Sequence, residues 1–199
     1  MMLRAIIPVL LLIAGLAVAG SGLPIVAHAQ DSLSSSEPSA DEVTAELLVE
    51  LSRTSDAKKA EQLEQKIWAR WSKSGSDTVD LLMSWADEAQ GKENLGQALD
   101  LLDRVVLLEP GFAHGLNRRA IVHYSRGDYA KSLDDIERVI ALEPNHFGAI
   151  SGLGAIMMEL NKEQAALDAF MRVLEIYPAN EKAQEAASKL IEKLSGDAV

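Results

Sequence analysis

Histidines and carboxylates are the side chains of this sequence with the potential for acid–base or metal chemistry. Beyond residue 29 the histidines are His114, His123 and His146, and no two of them are three or four residues apart. Two ligands on one face of a helix need that spacing, so the pattern does not predict a helical metal site. The motifs Gly-x-Ser-x-Gly and His-Glu-x-x-His and a phosphate-binding glycine loop are also missing from the sequence. We therefore expect no enzymatic activity and no metal or other cofactor.

Asn117 and Arg118 are the polar residues with the clearest binding chemistry. An amide can hydrogen-bond a peptide backbone, and a guanidinium can hold a carboxylate in a bidentate manner. Further along, the segment 148–155 is rich in small residues, namely Gly148, Ser151, Gly152 and Ala155. Glycine inside a helix costs about 1 kcal/mol relative to alanine, which suggests that another backbone comes close there. Two interpretations stay open: that backbone belongs to a partner, or to a neighbouring helix of the same chain.

The element that must position these side chains recurs with a period of 34 residues. Pro110, Pro144 and Pro178 are spaced by that interval, and each ends a similar phrase, Leu-Glu-Pro twice and then Ile-Tyr-Pro. Before each proline, apolar residues recur at helical spacing in two groups, which Gly127 and Asp128 separate in the middle unit. The pattern predicts three helical hairpins, each followed by a proline that prevents the helix from continuing. The predicted units are 79–112, 113–146 and 147–180.

The most typical stretch is Gly-Asp-Tyr-Ala-Lys-Ser-Leu at 127–133, followed by Leu-Glu-Pro-Asn at 142–145. With the period, it resembles the tetratricopeptide-repeat (TPR) family over about half of the chain. The resemblance implies an all-α fold, a right-handed superhelical array of antiparallel helix pairs with about three TPRs. An N-terminal helical pair at 41–78, a degenerate repeat or cap, would precede the repeats. A capping helix and tail at 181–199 would follow them, because a stack of repeats leaves an apolar face open at each end.

In TPR arrays the first helices of the repeats line a concave face that holds peptides or partner segments. The resemblance therefore implies a groove for another protein or peptide, and it places eleven residues there. These are Met83, Asp87, His114, Asn117, Arg118, Ile121, Tyr124, Ser151, Gly152, Ala155 and Met158. TPR domains that clamp a chaperone's C-terminal carboxylate use several Lys, Arg and Asn residues along this groove. That set is missing here, so we do not expect co-chaperone activity of that kind.

Arg119 departs from the family pattern, which usually has leucine at this position. If Arg119 points inward it needs a carboxylate, because an unpaired buried charge is very costly. The candidate carboxylates in the repeat plan are Asp100, Asp103 and Asp134. We predict a structural ion pair at Arg119 rather than a ligand contact. Trp85 is also larger than the family's usual residue at the matching place.

The segment 41–78 carries its own helix signals. Ser39 and Glu42 form a capping-box pattern, and two apolar stripes follow. The second stripe includes Trp68 and Trp71. A binding platform is one interpretation of these tryptophans, but aromatic residues at helical spacing more often belong to a core. We expect them to pack against the first repeat.

Residues 1–29 have the pattern of a secretory signal peptide. Arg4 precedes an apolar run, and Ala27-His28-Ala29 predicts cleavage between Ala29 and Gln30. The alternative is an uncleaved membrane anchor, because no charge lies between Arg4 and Asp31. Residues 30–40 are rich in serine and are predicted to form a flexible linker.

The composition is acidic, with 30 Asp and Glu against 19 Lys and Arg and no cysteine. This balance argues against nucleic acid and against anionic lipid surfaces, which need clustered cations. Without cysteine there are no disulfides and no thiol chemistry. Together with the export signal, the resemblance predicts a periplasmic scaffold that binds another envelope protein, with a role in membrane integrity or in an export or assembly machinery. The alternative is a membrane-tethered assembly subunit that retains its N-terminal segment.

Overall fold

The computed structural model describes residues 39–196, which form nine α-helices and no strand. The predicted signal peptide and most of the predicted linker lie outside these residues. No described helix combines the length and the apolar character that crossing a membrane requires. The helices are α1 (Ala40–Arg53), α2 (Ala57–Trp71), α3 (Asp77–Gly91), α4 (Leu95–Leu108), α5 (Ala113–Ser125), α6 (Tyr129–Leu142), α7 (Phe147–Glu159), α8 (Glu163–Ile176) and α9 (Glu181–Gly196). The prediction of an all-α array of helix pairs is confirmed.

The capping box at the start of α1 is present in the structure. The backbone N–H of Glu42 donates to Oγ of Ser39 at 3.2 Å, and the backbone N–H of Ser39 donates to Oε2 of Glu42 at 2.7 Å. Asp56 caps α2 by accepting from the backbone N–H of Lys59 at 2.8 Å. These side chains satisfy backbone donors that the first turn of a helix leaves without a partner, so the local sequence determines where α1 and α2 begin.

The hairpins α3–α4, α5–α6 and α7–α8 are the three structural copies of the 34-residue period. Each pair is joined by a tight turn at equivalent positions, where the backbone is left-handed. Gly127 has φ of +76°, and Glu93 and Asn161, one period away on either side, have φ of 57° and 53°. The turn geometry is therefore conserved within the chain even where the glycine is replaced.

Small residues at the helix crossings let the two helices of each hairpin approach closely. Ala98 and Ala166 have no exposed surface, and the hydroxyl of Ser132 donates to the carbonyl of Ala120 at 2.8 Å. A Cβ added to Gly154 would lie 2.8 Å from Cζ of Phe170. A larger side chain at these positions would force the helices apart.

The α1–α2 hairpin packs against the third repeat. Leu51 and Ile67 share one buried apolar cluster with Phe147 and Ile150 of α7. The hydroxyl of Tyr177 also donates to Oε2 of Glu64 at 3.1 Å, across 113 residues of sequence.

The first repeat instead has a core of its own, built mainly from α3 and α4.

Trp71 is buried and Trp68 is half-buried, so the interpretation of both as core residues is confirmed. The expectation that they pack against the first repeat is wrong. The apolar stripe of α2 shows that the helix needs cover, but it carries no information on which distant face supplies that cover.

At the other end of the array, α9 packs on α8. It buries Ala183, Ala187 and Leu190 and turns its charged side outward. The side-chain ammonium of Lys193 donates to Oε1 of Glu163 at 2.7 Å, which joins α9 to the start of α8. The apolar face that α8 would otherwise expose is covered in this way.

Candidate functional site

The inner helices α3, α5 and α7 line one side of the repeat array, which we call the groove. Helices α5 and α7 contact each other directly, whereas the outer helices α4, α6 and α8 have no comparable contact with one another in the described part of the chain. Side-chain contacts from α5 to α3 continue the inner layer. Helices α3, α5 and α7 therefore form one continuous inner layer.

The α1–α2 hairpin covers the N-terminal ends of α5 and α7, which form one edge of the groove. The ring of Trp68 lies 5.8 Å from that of His114 and 5.3 Å from that of His146. A Cβ on Gly148 would come within 2.7 Å of Cη2 of Trp68. Of the two interpretations of the small segment 148–155, the structure therefore supports a neighbouring helix of the same chain at Gly148.

The second glycine of that segment serves a different contact. A Cβ on Gly152 would lie 3.4 Å from Cδ1 of Ile136 on α6. This is the edge of ordinary van der Waals contact with the end of a flexible side chain, so the packing of α7 on α6 does not by itself require glycine at this position.

Arg118 is already bound to acceptors from its own chain. Its guanidinium donates to Oδ1 of Asp87 and to Oε1 of Gln90 at 2.9 Å, both on α3. About a quarter of the side chain remains exposed. Asn117, its neighbour, is only 3% exposed. Asn117 is therefore closed to a ligand, and the charge of Arg118 is already paired through Nη2, although its buried Nε has no hydrogen-bond partner.

The half of the groove beyond Arg118 is open. Ile121 on α5 is 37% exposed and Met158 on α7 is 43% exposed. The hydroxyls of Tyr124 and Tyr129 each lie 3.4 Å from the carboxylate of Glu159. We call this surface, formed by residues 118–125 and 155–159, the open half of the groove. Its chemistry is apolar at the centre and acidic at the side.

The structure places all eleven predicted groove residues on the inner helices, but it differentiates them by exposure. Met83 and Asn117 are buried. The half-buried or exposed residues are Asp87, His114, Arg118, Ile121, Tyr124, Ser151, Gly152, Ala155 and Met158. Sequence reasoning missed Gln90 and the covering role of Trp68. Gln90 lies three residues after Asp87, so helical spacing was a signal for it, whereas no local signal placed Trp68 at the groove.

The predicted ion pair of Arg119 is present. Nε and Nη2 of Arg119 donate to the two carboxylate oxygens of Asp135 at 2.8 and 2.7 Å, and Nη1 donates to Oδ1 of Asp103 at 2.8 Å. Asp103 was among the predicted partners. The other two predicted partners, Asp100 and Asp134, were wrong. On α6 the buried face contains Asp135, the residue after Asp134, so Asp135 rather than Asp134 faces Arg119. The hydrogen bonds that Arg119 donates to Asp135 are the main reason that the pKa of Arg119 is raised.

An aromatic cluster joins the hairpin to the repeats. The rings of Trp71 and His146 stack at 4.2 Å, and Nδ1 of His146 accepts from the backbone N–H of Ala149 at 3.1 Å. The proton of the neutral imidazole must then be on Nε2. That atom, Nε1 of Trp71 and Nδ1 of His114 are all buried without a hydrogen-bond partner. Burial lowers the pKa of both His114 and His146 to about 4.

A half-open cavity of about 1390 Å³ lies between the hairpin and the turns that precede α5 and α7. Its lining mixes apolar residues of α1, such as Leu47, with Lys66, Arg70 and Glu143. Burial raises the pKa of Glu143, and Asp41 adds to the effect. The cavity and the three unpartnered polar atoms show that the packing of the hairpin on the repeats is incomplete.

Protein stability should decrease as the pH falls from about 6.5 to about 4. His146 binds a proton more weakly in the folded state, with a pKa of about 4, than in the unfolded state, near 6.5. Within this window the unfolded chain takes up the proton first, so the folded state loses up to about 3 kcal/mol on account of this residue. The His146→Asn variant keeps a helix-capping acceptor but does not titrate, so its urea-unfolding free energy should depend less on pH. Equal pH slopes for the two proteins would contradict this assignment.

The described residues contain no group of three His, Asp or Glu side chains able to hold a metal ion. The exposed side chains of the groove offer apolar area, tyrosine hydroxyls and carboxylates.

Comparison with known proteins agrees with this architecture. A family model described as tetratricopeptide repeat matches residues 113–146. Among solved structures, the first TPR of Spaghetti (RPAP3) bound to the HSP90 peptide SRMEEVD superposes with a TM-score of 0.58 at 22% identity, covering 60% of this chain and 95% of that one. The Sgt2 TPR domain from Aspergillus fumigatus has a TM-score of 0.57 at 20% identity, covering 62% and 83%. These likenesses show the fold.

A sequence relative extends the comparison beyond the fold. A TPR repeat-containing protein of Rhizobium etli is 40% identical to this chain over 152 residues, which are 76% of this chain and 74% of the relative. Similarity at this level over most of both chains includes residues outside the single repeat that the family model matches. We conclude that this chain belongs to the family of TPR repeat-containing proteins.

Proposed function

We propose that this protein is a scaffold of the bacterial periplasm that binds a segment of another envelope protein in the open half of its groove. The observation that carries the proposal is the exposure of Ile121 and Met158 on the inner helices. Large apolar side chains on a concave face supply binding energy when a partner covers them. TPR proteins mediate protein–protein interactions, and the groove is the surface of this chain that suits that role. A task in membrane integrity or in an export or assembly machinery is consistent with such binding.

The solved relatives support a peptide-like partner. The RPAP3 domain was solved with an HSP90 peptide, and the TPR2B domain of yeast Sti1 with an Hsp70 partner. The first of these is a complex of a TPR domain with a short peptide of another protein. By analogy, the partner of this chain would bring a short segment to the groove.

The periplasmic location rests on the sequence pattern of residues 1–29. The mass of the mature protein isolated from cells tests it. A chain that begins at Gln30 is the expected result. A mass that includes Met1 would instead favour the alternative, a membrane-tethered assembly subunit that keeps its N-terminal segment as an anchor.

The groove is tested by crosslinking in intact cells followed by pull-down. Ile121→Ser and Met158→Ser should each reduce the recovery of the crosslinked partner by about tenfold, because each removes apolar area that the partner buries. The matched control is Leu107→Ser, which changes a 79% exposed residue on the outer helix α4. Normal recovery with both groove variants, or an equal loss with Leu107→Ser, would reject the groove as the binding site.

A further inference from the structure

The cations of the inner helices are already neutralised. Helices α3 and α7 contain no lysine or arginine, and α5 contains only Arg118 and Arg119. Arg118 is paired with Asp87, and Arg119 is paired with Asp103 and Asp135. A ligand carboxylate that enters the groove therefore meets no unpaired guanidinium or ammonium on these three helices.

Carboxylates, in contrast, remain exposed on the same helices. Asp87 keeps about half of its side chain exposed while it accepts from Arg118. Glu159, at the end of α7, is exposed and is held by the hydroxyls of Tyr124 and Tyr129 rather than by a cation. Hydroxyl donors leave the charge of Glu159 without a cationic partner among the described residues, so this carboxylate can attract a positively charged ligand.

Two further features restrict the kind of ligand that the groove can bind. Ile121 and Met158 provide apolar contact area next to Glu159. Trp68 covers Gly148 and the start of α5 and α7, which closes the N-terminal end of the groove. A ligand that fits this surface would bring apolar side chains to cover Ile121 and Met158 and positive charge to match the carboxylates.

From this arrangement we infer that the groove selects a cationic peptide segment in which lysine or arginine flanks one or two apolar anchors. The inference rests on the proposed function, because it names the ligand class of the same groove. It distinguishes this chain from the RPAP3 domain, whose peptide SRMEEVD is acidic at its C-terminal end. In this groove Arg118 binds Asp87, an internal carboxylate, where a free cation would be needed to hold an acidic peptide.

The test uses fluorescence anisotropy with the mature full chain and two capped peptides. In one peptide lysines flank two leucines, and in the other glutamates replace the lysines. The lysine peptide should bind at least tenfold more tightly at low ionic strength, and added salt should reduce the difference. Equal binding of the two peptides, or tighter binding of the glutamate peptide, would overturn the inference.

A charge-matched pair of variants distinguishes the site from the overall acidity of the chain. Glu159→Gln should weaken binding of the lysine peptide by about fivefold, as expected for one charge contact near water. Glu137→Gln, which makes the same change on the exposed side of outer helix α6, should leave the affinity unchanged. Equal weakening by the two variants, or no detectable binding of either peptide, would overturn the inference. The proposed function is judged separately, since the cellular crosslinking test with Ile121→Ser and Met158→Ser does not depend on these peptides.

Discussion

Arg119→Leu should lower the free energy of unfolding by about 3 to 5 kcal/mol, although leucine is the residue that the family usually has at this position. The reason is that Asp135, the partner of Arg119, would remain buried without its main counter-charge. Asp135 has only 4% of its side chain exposed and would lose both of its short hydrogen bonds to the guanidinium. Removing one member of a buried ion pair leaves an uncompensated charge, which is far more costly than the pair itself is favourable. Arg138, 3.7 Å from Asp135 and 44% exposed, would compensate only weakly.

The double variant Arg119→Leu/Asp135→Leu should recover much of this loss, because two apolar side chains need no partner. The third repeat already has leucine at the equivalent position, because the half-buried Leu153 lies one period after Arg119. Asp103→Asn is the matched control, because Asp103 is 61% exposed and its replacement should cost no more than about 1 kcal/mol. Urea unfolding followed by circular dichroism measures all three. A single Arg119→Leu variant as stable as Asp103→Asn would show that the pair does not hold α5 to its neighbours.

Trp71→Ala should release the α1–α2 hairpin while the repeats stay folded. Trp71 stacks on His146 and lies 5.1 Å from the ring of Phe147, so it joins α2 directly to the start of α7. Truncating a buried tryptophan costs about 3 to 5 kcal/mol. The hairpin interface also buries three polar atoms without hydrogen-bond partners. These atoms weaken the interface, so the loss of Trp71 should be enough to separate the hairpin from the repeats.

Hydrogen exchange distinguishes local release from global unfolding. In Trp71→Ala the amides of α1 and α2 should lose protection, while those of α5 and α6 keep it. Trp85→Ala is the matched control, because Trp85 is 48% exposed on α3 and does not belong to the cluster beneath the hairpin. Undiminished protection of α1 and α2 in Trp71→Ala, or an equal loss in the control, would mean that this contact does not hold the hairpin.

The groove residues illustrate what could be predicted from the sequence and what could not. The resemblance to TPR proteins implied eleven groove positions, and all of them lie on the inner helices, yet it did not distinguish Ile121 and Met158, which are exposed, from Asn117, which is buried. Exposure depends on which neighbouring elements cover a helix, and the relevant cover for His114 and Gly148 comes from Trp68, far away in sequence. Arg118 was predicted to bind a partner, but its acceptors Asp87 and Gln90 on α3 were not predicted.

By itself the sequence determined the 34-residue period, the helix pairs, the capping box at Ser39 and the need of Arg119 for a carboxylate. All of these depend on short-range rules: helical spacing, hydrogen bonds within a few residues and the cost of an unpaired charge. Only the tertiary structure decided that the N-terminal hairpin covers the third repeat, that Asp135 is the main partner of Arg119, and that Asp87 occupies Arg118. Each of these is a choice among several surfaces or carboxylates of similar chemistry. The geometry of packing makes that choice, since a local pattern specifies that a group must be covered or paired but not by which distant residue.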